Sequence, residues 1–344
     1  MRIRIASAVG LLALLVSACA VPDTPSASVH FTDHHVHILG PDVMRDWRAV
    51  GVTFSRPDSI YTSASTLLRE RPDSSASVVL VPMAHLYGNT EFSGALGIND
   101  STVRSRVRRE NEHVSAEARR LPGRAVALCS VPAVAAWALD ELRHCIDSLR
   151  VAGIKLHLAS SMVDLRDEAH LGALARIAAL AVAESLPILL HVDPQRRGLD
   201  TSDIRRLADR MFTPHPDLQV VIAHLGGSGG YGPWTRSVFA SLRDWRQQSE
   251  RREVRRRQIH FELSAVVLER ESEGVPATTP EERALLAADL RAIDFDRVVL
   301  GSDYPVFDPV RGLEVLRELV GLTADEITRI AAPADPIFRD RTRR

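Results

Sequence analysis

The 344-residue chain has three cysteines, a single lysine and no apolar run that reaches the ~20 residues needed to span a bilayer. Three cysteines cannot staple a fold of this size. Cys129 and Cys145 lie among apolar residues and read as small buried thiols, with a disulfide between them left open but without support. Charge of either sign is equally short of excess: 43 Lys and Arg against 44 Asp and Glu leave a net charge of −1. Nothing in that balance predicts nucleic-acid binding. No glycine fingerprint follows an early apolar run, so nucleotide binding lacks its usual mark. What is present, 45% hydrophobic and 25% charged residues, describes a folded protein with a sizeable core and excludes long disorder, collagen and coiled coil.

The first residues read as an address. Arg2 and Arg4 precede an apolar run from Ala6 to Val16, and Val16-Ser17-Ala18-Cys19 then sets small residues before a cysteine, the layout of a signal peptide. The four residues resemble the bacterial lipobox, which implies cleavage before Cys19 and lipidation of its thiol. Residues 1–18 are then a signal peptide and 19–28, with two prolines, a flexible tether. The remainder, 29–344, is expected outside the cytoplasm, facing the periplasm on a membrane reached through the lipid. Ala20 is compatible with sorting to the outer membrane if the host is Gram-negative.

Short runs rich in Val, Ile and Leu recur along the rest of the chain, separated by longer amphipathic stretches. They are Val29–Ile38, Ser77–Leu86, Ala125–Val131, Gly153–Ala159, Leu186–Pro194, Leu218–Gly227, Gln258–Ala265 and Arg297–Val306. Pro132–Arg150, Arg166–Ser185, Thr201–Phe212, Thr235–Arg256 and Pro280–Ile293 carry apolar residues near helical spacing. This alternation predicts an α/β protein, a single-domain (β/α)8 TIM barrel, with its longest insertion between the first and third strands. An open doubly wound sheet is the alternative arrangement.

In a barrel the C-terminal ends of the strands meet at one mouth, so polar residues placed there converge. The first run contains Asp33-His34-His35-Val36-His37. Period-two alternation sends Asp33, His35 and His37 to one face, where two imidazoles can grip one ion. The fifth run closes on His191, the sixth on His224 and the eighth on Asp303. Lys155, in Gly153-Ile154-Lys155-Leu156-His157, is the only lysine among 43 basic residues, which points to a need for an amine that can lose its proton. His157 lies two residues on, as a substrate contact or a structural histidine. Arg196 and Trp234, in loops after the fifth and sixth runs, are candidate contacts for an anionic or aromatic substrate.

The set Asp33-x-His35-x-His37, Lys155, His191, His224 and Asp303 resembles the amidohydrolase superfamily of metal-dependent barrels, in its amidohydrolase-related branch. Asn111-Glu112, Leu121-Pro122-Gly123-Arg124, Ala223-His224-Leu225-Gly226-Gly227 and Gly301-Ser302-Asp303-Tyr304-Pro305 extend the likeness from about Phe31 to Phe338. The chain departs from the family near its end, where Ala332-Pro333-Ala334-Asp335 replaces an Asn-Ala pair.

The resemblance implies a divalent metal, zinc by preference, as one or two ions. His35, His37 and Asp303 would hold one. His191 would complete that site or join His224 around a second, bridged by a carboxylated Lys155. It implies an enzyme in which Asp303 is the general acid and base, and His224 a ligand or a group that polarises the carbonyl. The expected reaction is hydrolysis of an amide, lactone or ester in a small carbonyl substrate. The alternatives are a nonoxidative decarboxylase of the same family and a lipid-anchored binding protein without turnover.

Overall fold

Apolar runs with a period of two become strands whose two faces are buried in different places. In a computed structural model of the chain, residues 31–70, 77–193, 198–247, 257–272, 274–293, 295–331 and 337–341 are described. The expected signal peptide, Cys19, the tether and Arg196 lie outside them. Eight strands pair in parallel in sequence order: β1 Thr32–His37, β2 Ser77–Val81, β3 Ala125–Ser130, β4 Gly153–His157, β5 Ile188–His191, β6 Val220–Ile222, β7 Ile259–Glu262 and β8 Val298–Val299. Each falls inside its predicted run. The sheet closes where β1 meets the chain after β8, through a parallel bridge between Val36 and Tyr304. The fold is a single-domain (β/α)8 TIM barrel, as the alternation predicts.

Helices fill the connections: α1 Pro41–Ala49, α2 Asp58–Thr62, α3 Ala64–Glu70, α4 Thr90–Ala95, α5 Asp100–Arg119, α6 Ala138–His144, α7 Glu168–Ala183, α8 Thr201–Leu207, α9 Pro233–Gln247, α10 Pro280–Arg291, α11 Pro309–Glu318 and α12 Ala324–Ala331. The expected long insertion before the third strand is α1 to α5. Of these α5 starts on an Asn99 side chain that accepts from Thr102 N–H and buries Val103, Val107, Val114 and Ala118 on one face. The helix expected from Pro132 forms only from Ala138. Before it, the chain crosses the rim in tight turns, with Ala135 N–H on the Pro132 carbonyl and Ala138 N–H on that of Ala135. No helix among the described residues is long and apolar enough to cross a membrane.

Outward residues such as Ile154, Leu156, Ile188, Leu190, Val220 and Ile222 pack under the helices. Their inward neighbours Val79, Val81, Leu128, Leu189, Val221 and Val299 fill the barrel with Ile337 and Phe338. A Cβ at Gly153 would stand 2.7 Å from the Phe338 ring, so only glycine lets the chain end plug the barrel there. With its lower interior filled by carbon, the barrel leaves the upper inward positions for polar side chains.

Cys129 and Cys145 differ from the expectation of two thiols: they form a disulfide. α6 folds back over β3, which brings the two Cα atoms to 6.1 Å, within bridging range. Closing a loop of 16 residues stabilises the fold by about 3 kcal/mol in the chain-entropy account. The paired Cys129→Ala, Cys145→Ala variant is therefore expected to melt several degrees lower, measured by calorimetry, and the native protein to show no titratable thiol at these positions until reduced. An unchanged melting temperature would contradict a structural bridge.

Candidate metal centre at the strand ends

His35 and His37 face the mouth, but strict alternation from Asp33 does not hold: the β1–β2 register shifts between Asp33 and Val36, so His34 faces the ring of Phe338 at 6.3 Å while Asp33 turns to Ser302. Closure of the barrel then sets Asp303 against the two imidazoles, with Asp303 Oδ1 2.9 Å from His37 Nε2 and 3.7 Å from His35 Nε2. A ligand atom from each of the three lies within 4.8 Å of the other two. The rings of His35 and His37 stand 4.9 Å apart at 61°, so their planes cross. Asp303 has a φ of 59°, a left-handed backbone uncommon outside glycine, and its N–H donates to the His35 carbonyl at 2.8 Å.

Hydrogen bonding decides which nitrogen of each ring carries a proton. His37 Nδ1 lies 3.1 Å from the Val81 carbonyl, His224 Nδ1 2.9 Å from that of Ser264 and His35 Nδ1 3.4 Å from Glu262 Oε2. These partners are acceptors, so Nδ1 holds the proton and Nε2 is left with its lone pair. A neutral His37 then sets a lone pair 2.9 Å from a carboxylate oxygen, a repulsive arrangement unless a cation lies between. Outer partners on Nδ1 with inner nitrogens free is how proteins hold metal-ligating histidines. The donor set fits a divalent ion.

Electrostatics agree with that arrangement. Burial, with the Lys155 charge beside it, lowers His35 to about 3 and keeps it neutral. Burial would raise Asp303, but positive charge on the rings of His35, His37 and His224 lowers it, a role that falls to a divalent ion once the rings are neutral ligands. Burial lowers Lys155 to about 8 against the pull of Asp303 and Glu262, so a neutral amine is accessible near neutral pH. Its Nζ lies 3.2 Å from His35 Nε2.

Glu262 escapes the sequence reading, although it ends the apolar run of β7 and an acid there is the available signal. It is fully buried, takes Ser264 Oγ–H at 2.8 Å and His224 N–H at 3.2 Å, and faces His35 Nδ1. Burial would raise its carboxyl, but the His35 contact first, then the His224 ring and the Ser264 hydroxyl, lower it to about 2. A Cβ on Gly301 would fall 1.9 Å from Glu262 Oε1, which explains the glycine two residues before Asp303.

The other candidates divide. His191 sits beside His157 in the register of β4 and β5. Its ring is edge-on to His224 at 4.6 Å and 64°, and stacked on His157 at 3.9 Å and 18°. His191 Nε2 is buried without a hydrogen-bond partner among the described residues. Ligand atoms of His157, His191 and Asp193 also lie within 4.8 Å of one another. A ring lone pair lies in the ring plane, however, and two nearly parallel planes do not meet at one ion, while His157 Nδ1 accepts Ser160 N–H at 3.3 Å. His191 thus pairs with His224 better than with His157 as a ligand. Trp234, the second residue of α9, is half-buried, and no hydrogen bond or ring contact among the described residues joins it to the histidines.

The family described as amidohydrolase matches residues 32–332. No curated protein sequence matches the chain. Among solved structures, similar folds include 2,6-dihydroxybenzoate decarboxylase bound to 2,6-dihydroxybenzoate, with 14% identity, a TM-score of 0.60 and coverage of 88% of this chain and 97% of that one. The 5-carboxyvanillate decarboxylase of Sphingomonas paucimobilis has 16% identity, a TM-score of 0.60 and coverage of 91% and 100%. A dihydroxybenzoic acid decarboxylase of Polaromonas, solved with bound manganese and an inhibitor, has 14% identity, a TM-score of 0.59 and coverage of 90% and 96%. At these identities the likeness is one of fold.

If Glu262 fixes His35 as a ligand, Glu262→Gln is expected to weaken metal binding by about 10- to 100-fold, and Gly301→Ala to do the same by displacing that carboxylate. Competition against a chromogenic chelator measures both. Wild-type affinity in the two variants would remove Glu262 from the site.

Proposed function

The chain belongs to the amidohydrolase family, and from that premise we propose that it is a metal-dependent hydrolase cleaving an amide, lactone or ester in a small carbonyl substrate. The observation that carries this reading is the meeting of His35, His37 and Asp303, whose ligand atoms all lie within 4.8 Å of one another, with Asp303 Oδ1 2.9 Å from His37 Nε2. A carboxylate at such a centre can take a proton from water and return it to a leaving group, the order hydrolysis requires. His35, His37 and Asp303 would hold the first ion. A divalent metal bound there supplies a water with its pKa lowered to about 7 and a Lewis acid for the carbonyl.

Asp303 takes the proton of the attacking water and returns it to the leaving nitrogen or oxygen. His224, whose Nδ1–H is spent on Ser264, presents a lone pair at Nε2 and so suits ligation better than hydrogen-bond donation to a carbonyl. Lys155 has two uses. As a neutral amine it can add to carbon dioxide with loss of a proton to water, and the resulting carbamate, with His191 and His224, would offer ligands to a second ion. As an ammonium it would bind a carboxylate or carbonyl oxygen of the substrate. Imidazole and carboxylate donors suit zinc, and manganese, present in the Polaromonas decarboxylase, is also compatible with them.

Nonoxidative decarboxylation is the second reading, favoured by the aryl-carboxylate decarboxylases that share the fold. It asks Asp303 to begin as an acid, whereas hydrolysis asks it to begin as a base. Release of a new carboxylic acid supports hydrolysis, and release of carbon dioxide alone would replace it. Asp303→Asn is expected to keep its circular dichroism and lose at least about 100-fold in turnover. The carboxylate base works above its pKa and fails as pH falls through it. An active Asp303→Asn variant would remove the assignment.

We also propose export as a lipoprotein of the cell envelope, anchored at Cys19. Support comes from the order of residues 2–19 and from the Cys129–Cys145 disulfide, a bond that persists in oxidising compartments. Cys19→Ala is expected to shift the protein out of the membrane fraction. Unchanged fractionation would reject the anchor.

A further inference from the structure

His85 has no part in the chemistry above, yet it is fully buried in the tight turn Ala84–Gly88 that follows β2. Its ring lies 5.0 Å from that of His157, which itself stacks on His191 at 3.9 Å. It therefore lies at the same mouth.

The residue is held by a relay that starts on α5. Asn111 clamps the peptide of Ser130, accepting its N–H at 2.9 Å and donating Nδ2–H to its carbonyl at 3.0 Å. A further contact, Asn111 Nδ2 to Glu141 Oε1 at 3.3 Å, keeps the amide oriented. Ser130 Oγ accepts the backbone N–H of His85 at 3.1 Å, and among the described residues its one other partner is His85 Nδ1 at 2.9 Å. A buried hydroxyl that has accepted one N–H and has one neighbour left gives its proton to that neighbour. Nδ1 is then an acceptor and the ring proton sits on Nε2. Among the described residues His85 Nε2 has no hydrogen-bond partner.

This is the reverse of the other three imidazoles: His35, His37 and His224 keep their protons outward and turn lone pairs to the mouth, whereas His85 keeps its lone pair outward. We propose that His85 is the donor of an oxyanion subsite, its Nε2–H binding a carboxylate or tetrahedral oxyanion of the substrate. Asn111 and Ser130 are the positioning residues that set its tautomer. The subsite deepens the reading of the mouth as an active site and rests on it. It narrows the substrate to one that carries, or develops, a negatively charged oxygen within reach of both β2 and the Asp303 centre.

The test uses full-length protein labelled with 15N-histidine, metal-free and loaded with diamagnetic zinc. Multiple-bond 1H–15N correlation reads the protonated nitrogen of His85, with His85→Gln identifying the signal. The expected result is a proton on Nε2 in both forms, and a mixture of tautomers in Ser130→Ala. Titration with acetate, bicarbonate and methylphosphonate is expected to move the Nε2–H resonance of the zinc form. His85→Phe should weaken that binding by about tenfold, the worth of one hydrogen bond to a charged group, and His85→Gln, which can still donate, should recover most of it. Preference for acetate or methylphosphonate would identify an acyl-derived oxyanion, and preference for bicarbonate one derived from carbon dioxide. A proton on Nδ1, no movement with any of the three anions, or equal affinity in a folded His85→Phe would each overturn the proposal. Zinc content is read separately, so a protein that takes up no zinc and still keeps the Nε2–H tautomer would count against the metal reading alone.

Discussion

The seam between β1 and β8 is the constraint on which the rest depends. A parallel barrel with a final strand of two residues closes weakly through its ladder, and this one is reinforced by Asp33. That buried carboxylate accepts Ser302 N–H at 2.9 Å, Ser302 Oγ–H at 2.6 Å and His35 N–H at 3.2 Å. A buried charge is costly unless it is hydrogen-bonded, and three donors from both sides of the seam offset that cost. His34 N–H to Leu300 O and His37 N–H to Tyr304 O continue the join. The same contacts that close the barrel thus bring Asp303 against His35 and His37.

Closure also explains why the mouth can hold so many imidazoles. Strands are rigid rulers, and at each strand end an inward side chain meets a backbone carbonyl or carboxylate of a neighbouring strand. Val81 serves His37, Ser264 serves His224 and Glu262 serves His35. Each outer acceptor fixes a tautomer, and the tautomer fixes whether the ring offers a lone pair or a proton. Ser130 does the opposite for His85. A cluster of chemically identical side chains is in this way divided between rings that offer a lone pair and one that offers a proton, by partners that are not themselves reactive.

Fold and reaction separate at this level. Decarboxylases with about one residue in seven identical share the whole barrel, because the carbon-filled lower interior and helical shell make no reference to the substrate. The residues at the mouth are where chemistry on such a frame is decided, and there a buried amine lowered to about 8 can act in two charge states.

The sequence by itself determined the strand-and-helix alternation, the barrel and the convergence of His35, His37, Lys155, His191, His224 and Asp303, since each is written in local periodicity and in position at the end of an apolar run. Only the tertiary structure decided the roles of Glu262, Ser130 and His85 and the bonding of Cys129 to Cys145. These residues are ordinary in their own segments. Glu262 acts on His35 from 227 positions away, and His85 takes its tautomer from a serine 45 positions on. Pairings of that range are set by how the strands close into a ring and how helices fold back over them, and no local pattern encodes the few tenths of a nanometre on which a hydrogen bond depends.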